Sequence, residues 1–371
     1  MLFFIQFVLN LISVLTNIKS RFLALFGLLV LGFLAGTMTP GYSFDTNVYS
    51  AEYSLPIESG RFEKGYMFLT NFAYNHGINY SEFRLISMML FFFLFFLVLN
   101  LYTSHLNLFV VLFSIFPFVN EATQVRNFMM IVIILCALKF LTLKNKNIFT
   151  LFIAVSLIAL SATFQTTGWM FLSIILFSMV PRKFMVRCLD IFVPSILILS
   201  LFMFLLKNAS ITQKILSFVI SHSGRANATD ILISNTGSST SLQFYSLFIV
   251  YILSYSIIRY IYSRVVMATD TKSIESKVYI LLLMASLGAV GIFMLIGSYN
   301  FERIVRNAIT PTLIAISIFS GSSLGLKKIK MFVLGSSFII VLGGSIAKSY
   351  WSSGYGTMGS YVPYILHIKN N

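Results

Sequence analysis

The sequence predicts an all-α fold, a polytopic bundle of membrane helices forming a single transmembrane domain over residues 1–371. Of the 371 residues, 58% are hydrophobic and only 10% charged, and the mean hydropathy is +0.89. Soluble domains run about 45–50% apolar and about 25% charged, so the charges here are too few to solvate a compact soluble surface. Thirty-nine Phe and 18 Tyr add bulky apolar surface that calls for lipid as solvent. The apolar residues also fall into runs close to the roughly 20 residues that a bilayer-crossing helix needs.

In order, these runs are Leu2 to Thr16, Phe22 to Met38, Leu85 to Tyr102, Leu106 to Phe118, Ala122 to Leu141 and Ile148 to Thr163. They continue with Thr167 to Val180, Leu189 to Leu206, Leu242 to Tyr262, Val278 to Ile296, Asn307 to Ser320 and Met331 to Ile346. The expected count is about twelve spans. The first run and Thr167 to Val180 are short, and Leu106 to Phe118 is interrupted by Pro117. The N-terminus lacks the basic n-region and A-x-A-like site of a secretory signal.

A net charge of +15 does not point to nucleic acid, because the basic residues form small clusters between apolar runs rather than one aqueous patch. The positive-inside rule accounts for them. With the Lys19/Arg21 connection in the cytoplasm, that side also receives Lys139, Lys144, Lys146, Arg182, Lys183, Arg187, Arg259, Arg264, Lys272, Lys277, Lys327, Lys328 and Lys330. Asp190, Asp270 and Glu275 are the acids there. Two long connections, Thr39 to Arg84 and Lys207 to Ser241, then lie outside, so the working face is expected there.

Arg126 stands at the outer start of a span that runs inward, where the helix macrodipole is already positive. Arg84 opens Leu85 to Tyr102 in the same sense, and Arg303 and Arg306 precede or open the span near Asn307. Four arginines at helix N-termini suit a phosphate or diphosphate. Snorkelling with local ion pairing competes with that reading, since Glu302 and Arg306 have i,i+4 spacing and Glu82 is close to Arg84.

The outer carboxylates are Asp45, Glu52, Glu58, Glu63, Glu82, Glu121, Asp230 and Glu302, any of which becomes a base for a sugar hydroxyl if burial raises its pKa. Glu121, beside Asn120 at a helix start, also fits a capping role. Among the histidines only His222, in an outer loop, is a candidate base. No pair has H-x-x-x-H spacing, so a metal enzyme is disfavoured, and Cys136 and Cys188 lack CxxC spacing. Gly354-Tyr-Gly356-Thr-Met-Gly359 matches G-x-G-x-x-G, but no acid follows Glu302. With no Walker A sequence either, no cofactor is expected.

Several pieces in order resemble the Wzy-type O-antigen polymerases and the related EpsG-like group. They are Asp45-Thr-Asn-Val-Tyr49, Phe62-Glu-Lys-Gly-Tyr66, Gln124-Val-Arg126-Asn, the Phe164-Gln165-Thr166-Thr167 hairpin and Tyr299-Asn-Phe-Glu-Arg303. The chain departs from that group at Thr37-Met-Thr-Pro40, where an arginine is common, at Gln165, where a histidine is common, and at Asn127, where a glutamine is usual.

The resemblance implies a glycosyltransferase of the bacterial cytoplasmic (inner) membrane. It would move a growing glycan from undecaprenyl diphosphate onto a new lipid-linked repeat unit, building O-antigen or capsular polysaccharide. For that activity the residues read above supply Arg126, Arg303, Arg306, Arg84, Gln165 and Tyr49 as expected substrate-binding residues and Glu121, Asp45 and His222 as catalytic candidates, although an exposed loop histidine is the favoured reading of His222. The implied partners are the lipid-linked oligosaccharide, membrane lipid and a chain-length regulator protein. A flippase and a ligase are the competing functions. Most charges sit at span ends rather than at the midplane, which favours an enzyme over a transporter.

Overall fold

A computed structural model describes residues 1–38, 40–41, 43–55, 62–143, 147–206, 214, 241–268, 272–322 and 327–347. Among the described residues the chain is helical, with no strand. The helices are α1 (Leu2–Leu15), α2 (Arg21–Gly36), α3 (Phe44–Ala51), α4 (Lys64–Asn75), α5 (Tyr80–Tyr102), α6 (Leu106–Ile115), α7 (Phe118–Thr123) and α8 (Val125–Leu141). There follow α9 (Ile148–Ala162), a 3₁₀ turn (Thr166–Phe171), α10 (Leu172–Met179), α11 (Arg182–Leu205), α12 (Ser241–Val266), α13 (Lys272–Ser286) and α14 (Gly288–Met294). A second 3₁₀ turn (Tyr299–Phe301), α15 (Glu302–Gly321) and α16 (Lys327–Ala347) complete the order.

Among the described residues, six segments are long and apolar enough to cross a membrane: Tyr80–Tyr102, Arg182–Leu205, Ser241–Val266, Lys272–Met294, Tyr299–Gly321 and Lys328–Ser345. Five apolar helices are shorter, at 10–17 residues: Leu2–Leu15, Arg21–Gly36, Leu106–Ile115, Ile148–Ala162 and Thr166–Met179. The chain is therefore an all-helical multi-pass membrane protein. The twelve predicted runs are all helical over most of their length, but local chemistry trims several. Phe116-Pro117 ends α6, and the polar Thr166-Thr167 begins a 3₁₀ turn in place of a full helix. The connection expected from Thr39 to Arg84 carries two helices of its own, α3 and α4, and α5 begins within it at Tyr80. Of the Lys207 to Ser241 connection only Lys214 and Ser241 are described, and His222, Glu58, Asp230 and the terminal glycine motif lie outside the described residues.

The surface is inverted relative to a soluble protein. On α1 the buried residues are Gln6, Asn10 and Ser13, while Phe4, Ile5, Val8, Leu9 and Ile12 are exposed. This stripe at i, i+4 and i+7 turns its polar side inward. There Gln6 donates to Ser114 at 3.1 Å and Asn107 donates to Asn10 at 2.9 Å, tying α1 to α6. Such interhelical bonds in membranes average about 0.6 kcal/mol each, so they fix register more than they stabilise.

Two packing devices hold the centre. α2 lies along α5 because Gly32 and Gly36 leave no side chain between the helices: a Cβ on Gly32 would stand 2.9 Å from Phe92 Cβ, and one on Gly36 would stand 2.8 Å from Leu85 Cα. Beside them Phe92, Phe95, Phe109, Phe113, Phe118 and Phe128 form one buried aromatic cluster with edge and stacked contacts at 4.4–6.4 Å. Such ring pairs contribute about 0.5–1.5 kcal/mol beyond area burial.

The bundle has two chemically distinct ends. One gathers Lys19, Tyr102, His105, Lys139, Lys277, Gly321 and Lys330: Lys19 donates to Gly321 O at 3.4 Å, Lys277 donates to Tyr102 O at 3.0 Å and Lys139 sits 5.6 Å from the Tyr102 ring. The other gathers the C-terminus of α2, the starts of α5, α8 and α15, the short α3 and α7, and the α9 hairpin.

Candidate functional site

At that second end, α3 is built for presentation. Ser43 and Thr46 form a capping box, which fixes the first turn. Asp45 and Tyr49 are four residues apart and so share a face. Asp45 Oδ1 lies 4.0 Å from Arg303 Nη2, and the Tyr49 hydroxyl accepts from Arg126 Nε at 3.3 Å. The D-x-x-x-Y spacing thus serves two arginines from two different helices.

Arg126 lies in the first turn of α8, against the macrodipole. Its compensating anion is Glu63, from 63 residues upstream, which receives a hydrogen bond from Arg126 Nη1. The other Glu63 oxygen accepts from the backbone N–H and the hydroxyl of Thr166, each at 2.9 Å. Phe62 covers the guanidinium at 4.3 Å, with Tyr49 at 5.4 Å and Tyr66 at 5.9 Å from ring centre to guanidinium carbon. The arginine is enclosed in an aromatic cage whose carboxylate bridges α8 to the hairpin.

The Glu63 segment is seated by Gly65. Its N–H donates to Thr163 O at 2.9 Å, and a Cβ there would fall 2.1 Å from Thr163 Oγ1, so only glycine allows the approach. Gln165, next to Thr166, is buried, and its side-chain oxygen has no hydrogen-bond donor among the described residues.

Arg306 anchors a second network. Its Nη1 donates to Glu121 Oε1 at 3.2 Å, its Nη2 donates to Gln124 Oε1, and its Nε lies 3.9 Å from Glu302 Oε1. Asn127 donates to the other Glu121 oxygen at 3.0 Å and pairs reciprocally with Asn307 at 2.9 and 3.0 Å. Burial raises the Glu121 carboxyl above the usual carboxylate range, against the pull of the Arg306 charge and the Asn127 hydrogen bond.

Arg84 has a third set of partners: Ala35 O at 3.0 Å, Ala122 O at 2.6 Å, the Tyr80 hydroxyl at 3.0 Å and the Met38 sulfur at 3.8 Å. Two of these are carbonyls at the ends of α2 and α7, so Arg84 ties helix ends together.

These contacts divide the four arginines. Arg306 is fully buried at 0% and Arg84 at 2%, each committed to protein acceptors. Arg303 keeps 20% of its side chain exposed beside Asp45 at 28%, and its Nε has no hydrogen-bond acceptor among the described residues. The arrangement is an internally neutralised polar floor made of Arg84, Arg126, Arg306 and their partners. Arg303 with Asp45 is more exposed than the Arg126–Glu63 and Arg306–Glu121 pairs beside it. No group of three or more potential metal ligands occurs among the described residues.

Glu63 is the residue whose importance sequence reasoning missed. It was one of eight outer carboxylates, and its only mark was its place in the Phe62-Glu-Lys-Gly-Tyr66 piece.

No curated protein and no solved structure matches the chain. The model of the EpsG family, a Wzy-like group of polysaccharide polymerases, matches residues 21–366, which include every side chain of the arginine end described above. The chain belongs to the EpsG family.

Proposed function

We propose that this protein polymerises lipid-diphosphate-linked oligosaccharide repeat units at the Arg303–Asp45 end of the bundle, on the extracytoplasmic face of a bacterial cytoplasmic membrane. Membership of the EpsG family supports a polysaccharide polymerase, and the accessible Arg303–Asp45 pair is the observation that carries the finer reading.

The reaction needs little machinery. A hydroxyl oxygen of the acceptor repeat unit attacks the anomeric carbon of the donor glycan, the bond from that carbon to the phosphate oxygen breaks, and the diphosphate leaves with the electron pair. Arg303, near the N-terminus of α15, is placed to stabilise the charge that develops on it. Asp45 receives the hydroxyl proton as base. Arg126, paired with Glu63 in its cage, holds Tyr49, which shares a face of α3 with Asp45. Glu121, held by Arg306 and Asn127, is a structural counter-ion in this reading. About twelve spans, including the shorter helices and the inverted α1, are the topology that goes with it.

Deletion of the gene tests the reading. The expected phenotype is a single repeat unit on the final acceptor and no long-chain ladder. Loss of even the single-unit product would replace polymerisation with flipping or ligation.

A further inference from the structure

The basic end carries a cavity of about 290 Å³. Its wall is formed by the start of α2 (Arg21), the end of α5 (Asn100, Tyr102), the turn at Thr103 and Ser104, the first turns of α13 (Lys277) and the end of α15. This is close to the lower size limit of small-molecule sites, about 300 Å³.

The charge around it is one-sided. Among the described residues, no carboxylate is in ion-pairing distance of Lys19, Arg21, Lys277 or Lys330. Glu275, the nearest acid in sequence, is committed to Arg182 at 2.9 Å. Lys277 spends one of its three donors on Tyr102 O, and Arg21 has no hydrogen-bond acceptor among the described residues. Lys19 and Lys330 hold the carbonyls of Gly321 and Ser322, the two residues that close the cavity on the α15 side. The His105 imidazole is pushed below its ordinary value by burial and by the charges of Lys19 and Lys330. Positive-inside topology explains why the cations lie at this end, but not why Arg21 and Lys277 line one cavity. Asn100 adds a neutral requirement: its buried amide oxygen has no donor among the described residues, a place for a hydroxyl or amine.

We propose that this cavity binds a phosphate ester bearing a hydroxyl group, with the phosphate between Arg21 and Lys277 and the hydroxyl donating to Asn100. Two sources share that chemistry, the headgroup of an anionic glycerophospholipid and a soluble sugar or glycerol phosphate.

The test uses the full-length protein in nanodiscs and two probes. Glycerol phosphate is titrated by calorimetry against protein in phosphatidylcholine discs, and retained phosphatidylglycerol is counted by native mass spectrometry after release from mixed discs. Binding of the first probe identifies a soluble ester, and retention of the second alone identifies a lipid. In either case Arg21→Gln and Lys277→Gln should each weaken the interaction about tenfold, the loss of one charge-assisted contact. Lys328→Gln, an exposed lysine at the same end, should leave it unchanged. Arg21 holds no other described residue, so its variant is informative even where Lys277→Gln disturbs Tyr102. The proposal is overturned if neither probe binds, if Arg21→Gln binds as well as the natural protein, or if Lys328→Gln weakens binding equally.

Discussion

At one end of the bundle Arg126, Arg303 and Arg306 each face a carboxylate, whereas at the other Lys19, Lys277 and Lys330 each donate to a backbone carbonyl. The difference is also one of residue type. Where arginines pair on the lysine side, as Arg182 does with Glu275 and Arg259 with Asp190, they too take carboxylates, so the contact follows residue type: arginine gives planar, multidentate pairing, and lysine serves where a solvated positive charge is enough. At the arginine end the charges largely cancel, so they have little influence on orientation and instead define a shape. At the lysine end they do not cancel, and that excess is what the positive-inside rule reads. The same net charge of +15 therefore has two physical meanings within one chain.

The coarsest way to break this comparison is all-or-none. With Cys136 and Cys188 replaced by serine, Ser54→Cys should react with a membrane-impermeant thiol reagent in intact cells and Ser322→Cys should not. The reverse pattern would exchange the two ends.

Next in size is the buried network. Arg306→Leu leaves Glu121 and Glu302 buried without their cation, a change that typically costs 3–5 kcal/mol. The expected result is a large drop in the melting temperature of detergent-purified protein, or its loss from the membrane. Adding Glu121→Leu and Glu302→Leu should recover much of the loss, because removing all the charges also removes the desolvation cost. An unchanged melting temperature for Arg306→Leu alone would show that the network does not stabilise the fold.

Gly65→Ala comes next, at about 1–3 kcal/mol, from forcing a Cβ into Thr163. It should also loosen Glu63 from Thr166, so elongation should fall by more than the stability loss explains. The smallest effect belongs to the other end: Arg182→Ala breaks a half-exposed pair with Glu275 and should shift stability by no more than about 1 kcal/mol. A larger shift would mean that the two ends are held together by the same kind of contact.

Much of this was legible in the sequence, and the exceptions have a pattern. The helices followed from apolar runs, and the inward polar stripe of α1 could be read from Gln6, Asn10 and Ser13 at helical spacing. Arg126 stood out because a cation at a helix N-terminus needs an anion. Which anion was not legible: Glu63 is far away in sequence, and only the docking of Gly65 on Thr163 brings it there. For the same reason Arg84 and Arg306 read like Arg303 in one dimension. Their burial depends on Ala35, Ala122 and Glu121 arriving from other helices. Residues 39–84 read as a loop because α3 and α4 are too short and polar for a hydropathy pattern, although Ser43 and Thr46 mark a helix start.

The central claim is that the accessible pair, Arg303 with Asp45, does the chemistry beside a structural arginine floor. Purified protein, reconstituted with lipid-linked repeat units and assayed for chain length, tests it most directly. Arg303→Ala should slow elongation by roughly 10²–10³, the usual cost of one lost charge-stabilising contact in a transition state, and Asp45→Asn should slow it too. Both should keep a near-natural melting temperature, and Arg303→Lys should rescue poorly because the planar fork is lost. Long chains at the natural rate from both Arg303→Ala and Asp45→Asn would contradict the account.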